Sequence, residues 1–297
     1  MDIGFVGLGR MGGNMVARLG QQGHTVVGYD PAATARQAAE STGARVARSL
    51  PDLVEALALP RLVWVMVPAG APTESVIAEL AGLLSPGDAI VDGGNTHYKD
   101  DARRASELGA RGLAYLDAGV SGGIWGRELG YCLMVGGEST TVARLAPVFT
   151  ALAPAHGWLH VGAVGSGHYV KMIHNGVEYG MMQAYAEGFE LMSVSDYGLD
   201  LAAIAGLWNR GSVVRSWLLE LTADVLATDP KLSGVRAWVE DSGEGRWTVA
   251  DAVDKAVPAP ALTAALFARF RSRREDSFAD RLLAALRRAF GGHAVRR

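Results

Sequence analysis

Residues 2–30 read DIGFVGLGRMGGNMVARLGQQGHTVVGYD, and the rest of the chain is interpreted outward from them. Asp2 to Val6 is apolar enough for a buried strand. It runs into Gly7-Leu8-Gly9-Arg10-Met11-Gly12, after which Met15, Val16 and Leu19 recur at helical spacing. Gly20 to Gly23 turn the chain, and His24 to Tyr29 form a second strand ending at Asp30. The order is strand, G-x-G-x-x-G, helix, strand, acid. The first glycine permits the tight turn, the second lets a pyrophosphate approach the backbone, and the third allows helix to pack closely on strand. The helix N-terminus then faces the phosphates. A glycine triplet alone is weak evidence; with these neighbours it predicts a dinucleotide site.

Asp30 lies 18 residues after Gly12. A carboxylate there can accept from both ribose hydroxyls of the adenosine and repels a 2′-phosphate, so NAD is expected over NADP. The plainer reading is that Asp30 only starts the Asp30-Pro31 turn. Arg36 is near enough to leave NADP as a weaker alternative.

Further apolar strands are expected at Arg61 to Val67, Ala89 to Asp92 and Leu113 to Asp117, with Tyr131 to Val135 and Trp158 to Val161 as additional, antiparallel candidates. Strands alternating with helical segments predict a mostly parallel sheet covered on both faces, a Rossmann-type α/β domain over 1–165. Ligands of such sheets bind beyond the carboxyl ends of the strands. Val67, Pro68 and Asn95 on that edge are candidate cofactor contacts, and Ser121, Gly122 and Gly123 lie on it too as candidate ligand contacts. Ordinary turn chemistry explains one such glycine cluster well and several at strand ends less well.

From Ser166 onward only helices are expected. They are one long helix, then Leu199 to Trp208, Ser212 to Leu226, Ala261 to Arg274 and Phe278 to Phe290, with Asp241 to Trp247 a polar loop. The region 166–297 thus reads as an all-α domain. In the long helix Gly165-Ser166-Gly167 offers a Ser N-cap. Lys171, His174, Asn175 and Glu178 then share one side of the rod. A solvated face is the common fate of Lys and Glu at that spacing. A covered face would instead gather a base, an acid and two hydrogen-bonding groups.

Composition bounds the remainder. The chain has 297 residues, 49% hydrophobic and 20% charged, with a formal net charge of -3. Nothing in that balance calls for nucleic acid or a membrane surface as partner. The longest apolar runs are too short to span a bilayer, and no cationic leader is seen before the first strand. Cys132 is the one cysteine, so no internal disulfide forms; it is expected to be a small buried hydrophobe in a cytoplasmic protein. His156 and His160 lie four apart without an acid or cysteine at ligand spacing, so no metal site is expected. The arginine-rich tail reads as a solvated helix face, or as a grip for a phosphate or carboxylate.

Together these residues resemble the 6-phosphogluconate dehydrogenase (decarboxylating) family in its short, NAD-preferring bacterial form. The likeness covers nearly the whole chain. GLGRMGGNM and the glycines around Ser121 are shared with the wider β-hydroxyacid dehydrogenase superfamily. DGGNTHYKD at 92–100, GVSGG at 119–123, HYVKMIHNGVEYGMMQ at 168–183 and RRAFGGH at 287–293 are more specific. The resemblance implies Lys171 as general base and Glu178 as general acid. It implies Asn95, Ser121, Gly122, Gly123, His174 and Asn175 as contacts of the sugar acid, and Tyr179 and Arg269 as contacts of its phosphate. Arg287 and His293 would reach into a neighbouring subunit's site, in a homodimer or a homotetramer. Where long forms carry a phosphate-binding lysine before the tryptophan, this chain has Ser242, with Arg246 as a substitute candidate. The expected reaction is oxidative decarboxylation of 6-phosphogluconate to ribulose 5-phosphate. The alternatives are a non-decarboxylating β-hydroxyacid dehydrogenase and a catalytically silent NAD-binding regulator.

Overall fold

Strand β1 (Asp2–Val6) lies between β2 (Thr25–Tyr29) and β4 (Leu62–Val65), and all three run parallel. The computed structural model describes residues 1–291 and Ala294. It divides into two compact units, Met1–His174 and a second beginning at Asn175. The first unit holds β1, β2, β4, β3 (Arg45–Val46), β5 (Ala89–Asp92), β6 (Ala114–Ser121), β7 (Cys132–Gly136) and β8 (Trp158–Gly162) in one sheet, ordered β3-β2-β1-β4-β5-β6-β7-β8. β1 to β6 are parallel; β7 pairs antiparallel with β6, and β8 runs parallel to β7. The order reverses between β1 and β4, the crevice where sheets of this kind bind ligands.

Alternate residues of each strand enter opposite cores. Ile3, Phe5 and Trp64 pack with Met15 and Leu19 of α1 (Arg10–Gln21) and Phe149 of α7 (Ser139–Leu152). Val6, Val63 and Val65 face α3 (Leu50–Glu55) and α4 (Ala71–Leu83) through Leu53, Ile77 and Leu80. Each such fully buried side chain contributes about 1.5–3 kcal/mol. The remaining helices of the unit are α2 (Ala33–Ser41), α5 (Tyr98–Gly109), the short α6 (Gly126–Leu129), and the start of α8 (Ser166–Ser193).

Two details differ from the sequence reading. β6 continues past Asp117 to Ser121, so Gly119 and Ser121 are strand residues in register with Met134 and Cys132. Cys132 is exposed, not buried: it opens β7, where alternation turns its side chain away from the core that takes Tyr131 and Leu133.

The second unit is all-helical, with α9 (Leu201–Trp208), α10 (Trp217–Thr228), α11 (Glu244–Asp254), α12 (Pro260–Ser272) and α13 (Phe278–Gly291) following the rest of α8. α10 starts later than expected because Ser216 accepts from the Leu219 amide and caps it. The expected loop at 241–247 instead runs into α11: Gly243, at φ 106°, turns the chain, and Glu244 is 1% exposed in the first turn. Its cores are small: Phe189, Ala205, Leu219 and Leu226 in one, Tyr179, Ala265 and Leu266 in the other.

Candidate active site

At the first βα turn, Gly7 has φ 98°, and a Cβ there would meet the Met66 carbonyl oxygen at 2.2 Å. A Cβ on Gly12 would stand 1.9 Å from the Gly7 carbonyl oxygen, so side chains at either position would break the turn. Gly9 is the N-cap of α1 and has nothing within 4 Å of where its Cβ would be. No side chain caps that helix and no acid occupies its first turn, so its leading amides remain available for phosphate. The Leu8 amide donates to Asp30 Oδ2 at 2.8 Å and the Ala32 amide to Oδ1 at 2.8 Å. Asp30 thereby ties the loop to β2 while each oxygen keeps a lone pair for a ribose hydroxyl. Arg36 donates to the carbonyls of Asp30 (2.6 Å) and Pro31 (3.0 Å). This chemistry fits NAD: a bare helix end for the pyrophosphate, and a carboxylate where a 2′-phosphate would go.

Val67 is half-buried, with its carbonyl 2.9 Å from where a Gly94 Cβ would be; Pro68 is exposed and its carbonyl accepts from Thr73 Oγ1. Arg10 and Asn95 are exposed, and Met11 is half-buried.

On β6, Gly119 allows α8 to approach: a Cβ there would lie 2.4 Å from Lys171 Cβ. Lys171 is 8% exposed. Its Nζ stands 3.5 Å from His174 Nδ1, and His174 Nε2 stands 3.3 Å from Ser121 Oγ. Lys171, His174 and Ser121 therefore form one polar line, with Gly122 and Gly123 following at φ 137° and 54°. When Lys171 is an ammonium and donates to Nδ1, the ring proton sits on Nε2 and is donated to Ser121.

Within the second unit Asn175 is 9% exposed, Glu178 is half-buried and Tyr179 is 7% exposed. The Arg269 guanidinium lies 3.5 Å from the centroid of the Tyr179 ring and donates to the Glu240 carbonyl at 2.8 Å. The Ser242 amide donates to the Tyr179 hydroxyl at 3.4 Å. Arg246 is occupied: it grips both oxygens of Asp241 at 2.7 and 3.0 Å, and Arg273 donates to the same carboxylate at 2.8 Å. Arg246 hydrogen bonding, reinforced by Arg273, holds the Asp241 carboxyl down at about 2. Arg287 is exposed on α13; His293 lies outside the described residues.

Sequence reasoning missed a buried charged cluster beside Lys171. Asp92, Asp101 and Asp117 are 0% exposed, Arg104 is 1% and His168 is 2%. Arg104 donates to Asp92 at 3.1 Å and to Glu74 at 2.7 Å; Tyr115 donates to Asp101 at 2.8 Å. His168 Nδ1 lies 2.8 Å from Asp101 Oδ2 and 3.1 Å from Thr96 Oγ1. Burial pulls the His168 imidazole down, but the Asp101 hydrogen bond and the charges of Asp101, Asp92 and Asp117 outweigh it and lift the ring to about 9. Burial likewise raises the Asp117 carboxyl. The ligand atoms of Asp92, Asp101 and His168 fall within 4.8 Å of one another, close enough for a metal, but Arg104 already supplies cationic charge there. Two acids in paired register on neighbouring strands, Asp92 and Asp117, were the available signal.

α8 is also not capped as expected. Ser166 Oγ has no hydrogen-bond partner among the described residues, whereas Asp117 accepts the amides of Gly165 (2.6 Å) and His168 (2.8 Å). A strand carboxylate does the work assigned to the serine. His160 Nε2 lies 3.0 and 2.8 Å from the carbonyls of Gly137 and Gly162 and donates there.

Comparison with known proteins follows this geometry. Residues 2–165 match the NAD binding domain of 6-phosphogluconate dehydrogenase, and residues 167–289 match the 6-phosphogluconate dehydrogenase C-terminal domain. The chain is 46% identical to the NAD(+)-dependent, decarboxylating 6-phosphogluconate dehydrogenase of Haloferax volcanii, covering 100% of this chain and 99% of that one. Among solved structures, the Plasmodium falciparum 6-phosphogluconate dehydrogenase superposes with a TM-score of 0.84 at 27% identity, over 100% of this chain and 66% of that one. The Mycobacterium tuberculosis 3-hydroxyisobutyrate dehydrogenase superposes less well, with a TM-score of 0.73 at 26% identity, over 96% and 99%. The glycine turn and Asp30 are the common equipment of dinucleotide enzymes. Both domain models and a full-length relative carry the narrower conclusion: the chain belongs to the 6-phosphogluconate dehydrogenase family.

Proposed function

We propose that the chain catalyses the NAD-dependent oxidative decarboxylation of 6-phosphogluconate to ribulose 5-phosphate and carbon dioxide, with NADP as a weaker cofactor, in the cytoplasm. The observation that carries the reading is the Lys171–His174–Ser121 line behind Gly119, in the same sheet unit as a NAD-type glycine turn. NAD, when bound along Gly7 to Gly12 and Asp30, supplies the hydride acceptor. Residues 1–165 then form the dinucleotide-binding domain and 166–297 the substrate and oligomerisation domain.

The substrate's C3 hydroxyl is β to its carboxylate. Neutral Lys171 takes the hydroxyl proton as hydride leaves C3. Free lysine titrates near about 10.4, so burial is expected to bring the amine toward the working pH. The resulting ammonium polarises the new C3 carbonyl. The C1–C2 bond then breaks, its electrons pass into that carbonyl, and Lys171 returns the proton to the oxygen. Glu178, two turns along α8, protonates the carbon that lost carbon dioxide, while Lys171 takes the enol proton back and the ketone of ribulose 5-phosphate forms. Asn95, Ser121, Gly122, Gly123, His174 and Asn175 hold the sugar acid. Tyr179 and Arg269 hold the phosphate, remote from the chemistry, and use that binding to orient the reacting end. The stack of Arg269 on Tyr179 supports this assignment. Arg246, committed to Asp241, leaves the place of the long forms' lysine to Ser242.

A homodimer or homotetramer follows from the same reading, with Arg287 and His293 contributed to a neighbour's site. Phe278, Leu282, Leu283 and Leu286 of α13 are 47–70% exposed in the single chain, which supports burial against another copy. Product analysis tests the reaction: carbon dioxide and a pentulose phosphate are expected, and a stable keto acid would favour the non-decarboxylating alternative. Lys171→Met is expected to retain NAD binding while turnover falls about 1,000-fold. Near-normal turnover would remove Lys171 from the base role, and no turnover of any sugar acid by the wild type would favour a silent regulator.

A further inference from the structure

We propose that His168 is a positioning residue for Lys171: as a buried cation paired with Asp101, it clamps the first turn of α8 to α5 and β5 and so fixes where the lysine amine stands. The inference rests on the base role given to Lys171 above.

Charge pairing within the cluster is the first argument. Three carboxylates are fully buried, and each has a separate positive counterpart. Asp92 is paired with Arg104. Asp117 accepts two amides at the N-terminal turn of α8, where the helix dipole is positive. Asp101 is left with His168, at 2.8 Å, with the longer Arg104 contact at 3.5 Å secondary. Without the imidazolium, Asp101 would be a buried charge short of its partner, which proteins avoid. Thr96 and Tyr115 complete the shell of polar groups facing the ring and its carboxylate: Thr96 bridges Asp92 to His168, and Tyr115 donates to Asp101.

Geometry is the second. His168 and Lys171 are one turn apart on α8, so their side chains leave the same face. That face lies on β6, where Asp117 holds the His168 amide and Gly119, two residues on, receives the Lys171 stem. A Cβ on Gly167 would stand 2.4 Å from the Met134 carbonyl oxygen, so the helix is seated on the sheet without slack. The main chain is therefore fixed by β6, and rotation about the helix axis is fixed by the ring's bond to α5. His168 Nε2 is buried with no hydrogen-bond partner among the described residues, so the ring is held through Nδ1.

The test uses the full chain, NAD and 6-phosphogluconate. His168→Leu is expected to lose about 100-fold in kcat, the usual consequence of misplacing a reacting group by an ångström, while KM for both substrates moves less than about threefold. His168→Asn keeps a donor toward Asp101 and is expected to recover about tenfold of that loss. A folded His168→Leu enzyme within about threefold of wild-type kcat, or a loss carried mainly in KM, overturns the proposal. If His168→Leu does not fold, Asp101→Asn replaces it, with the same loss expected and unchanged kcat decisive against. Nitrogen-15 spectroscopy of the wild-type imidazoles, assigned with His168→Asn, is expected to show both His168 nitrogens protonated at neutral pH; a neutral ring refutes the clamp. A wild type that is inactive on 6-phosphogluconate would refute the assigned function instead, and the ring's protonation would still decide the clamp.

Discussion

One charged cluster in each unit is built differently from the other. In the first, Asp92, Asp101, Arg104 and His168 are sealed in the interior at the root of the helix that carries Lys171. In the second, the Asp241 side chain is 3% exposed, but its partners Arg246 and Arg273 reach solvent, at 54% and 22% exposed. Buried charges interact strongly and cannot be screened, so losing one partner strands the others. Exposed pairs are weakened by water and salt and can exchange partners. Chemistry that needs an amine held in one place benefits from the first arrangement. Capture and release of a charged substrate suit the second.

That contrast can be broken or sharpened by experiment. The largest effect is expected from Arg104→Met, which leaves Asp92 and Asp101 without their buried guanidinium: a loss of about 3–5 kcal/mol in urea unfolding at fixed protein concentration. A loss under about 1 kcal/mol would mean the cluster is not dry. Next, Arg269→Met in the second unit is expected to cost about 1.5–3 kcal/mol of substrate binding, read as a raised KM for 6-phosphogluconate with NAD affinity unchanged. A change confined to kcat would place Arg269 outside the phosphate contacts.

The third concerns pH. His168 is raised from 6.5 to about 9 in the folded chain. A raised pKa stabilises the fold fully below the unfolded value, and that contribution is lost as pH climbs through the folded one. Stability is therefore expected to decline by roughly 1–3 kcal/mol between about pH 6.5 and 9, relative to His168→Asn, which lacks this term. Parallel profiles for the two proteins would contradict a charged ring. The smallest effect is expected from Asp241→Asn, about 1 kcal/mol and reduced in high salt, because its arginine partners reach solvent. A salt-insensitive loss would show that Asp241 belongs with the buried kind.

Legibility followed the range of the interaction. The glycine turn, Asp30 and the apolar strands are local patterns, and each appears close to where periodicity and turn chemistry put it. The helix carrying Lys171 was legible too, but its cap was not: Ser166 had the right chemistry nearby in sequence, and Asp117, from a strand 48 residues before Gly165, took the amides. Cys132 was misjudged because two apolar neighbours suggest burial, whereas alternation along β7 turns it outward. The start of α11 was missed because Ser242-Gly243-Glu244 reads as polar turn chemistry, and burial of Glu244 is invisible without its surroundings.

Sequence alone therefore determined the alternation of strands and helices, the phosphate-binding turn and the spacing of Lys171, His174 and Glu178 on one rod, because each depends on residues within a turn or a strand's length of one another. Tertiary structure alone decided that His168 stands among three buried carboxylates, that Gly119 backs Lys171 and that Arg273 joins Arg246 on Asp241. Those outcomes depend on which groups from distant segments share a space that excludes water. Pairing there is set by desolvation and proximity together, and neither is written in any single stretch of the chain.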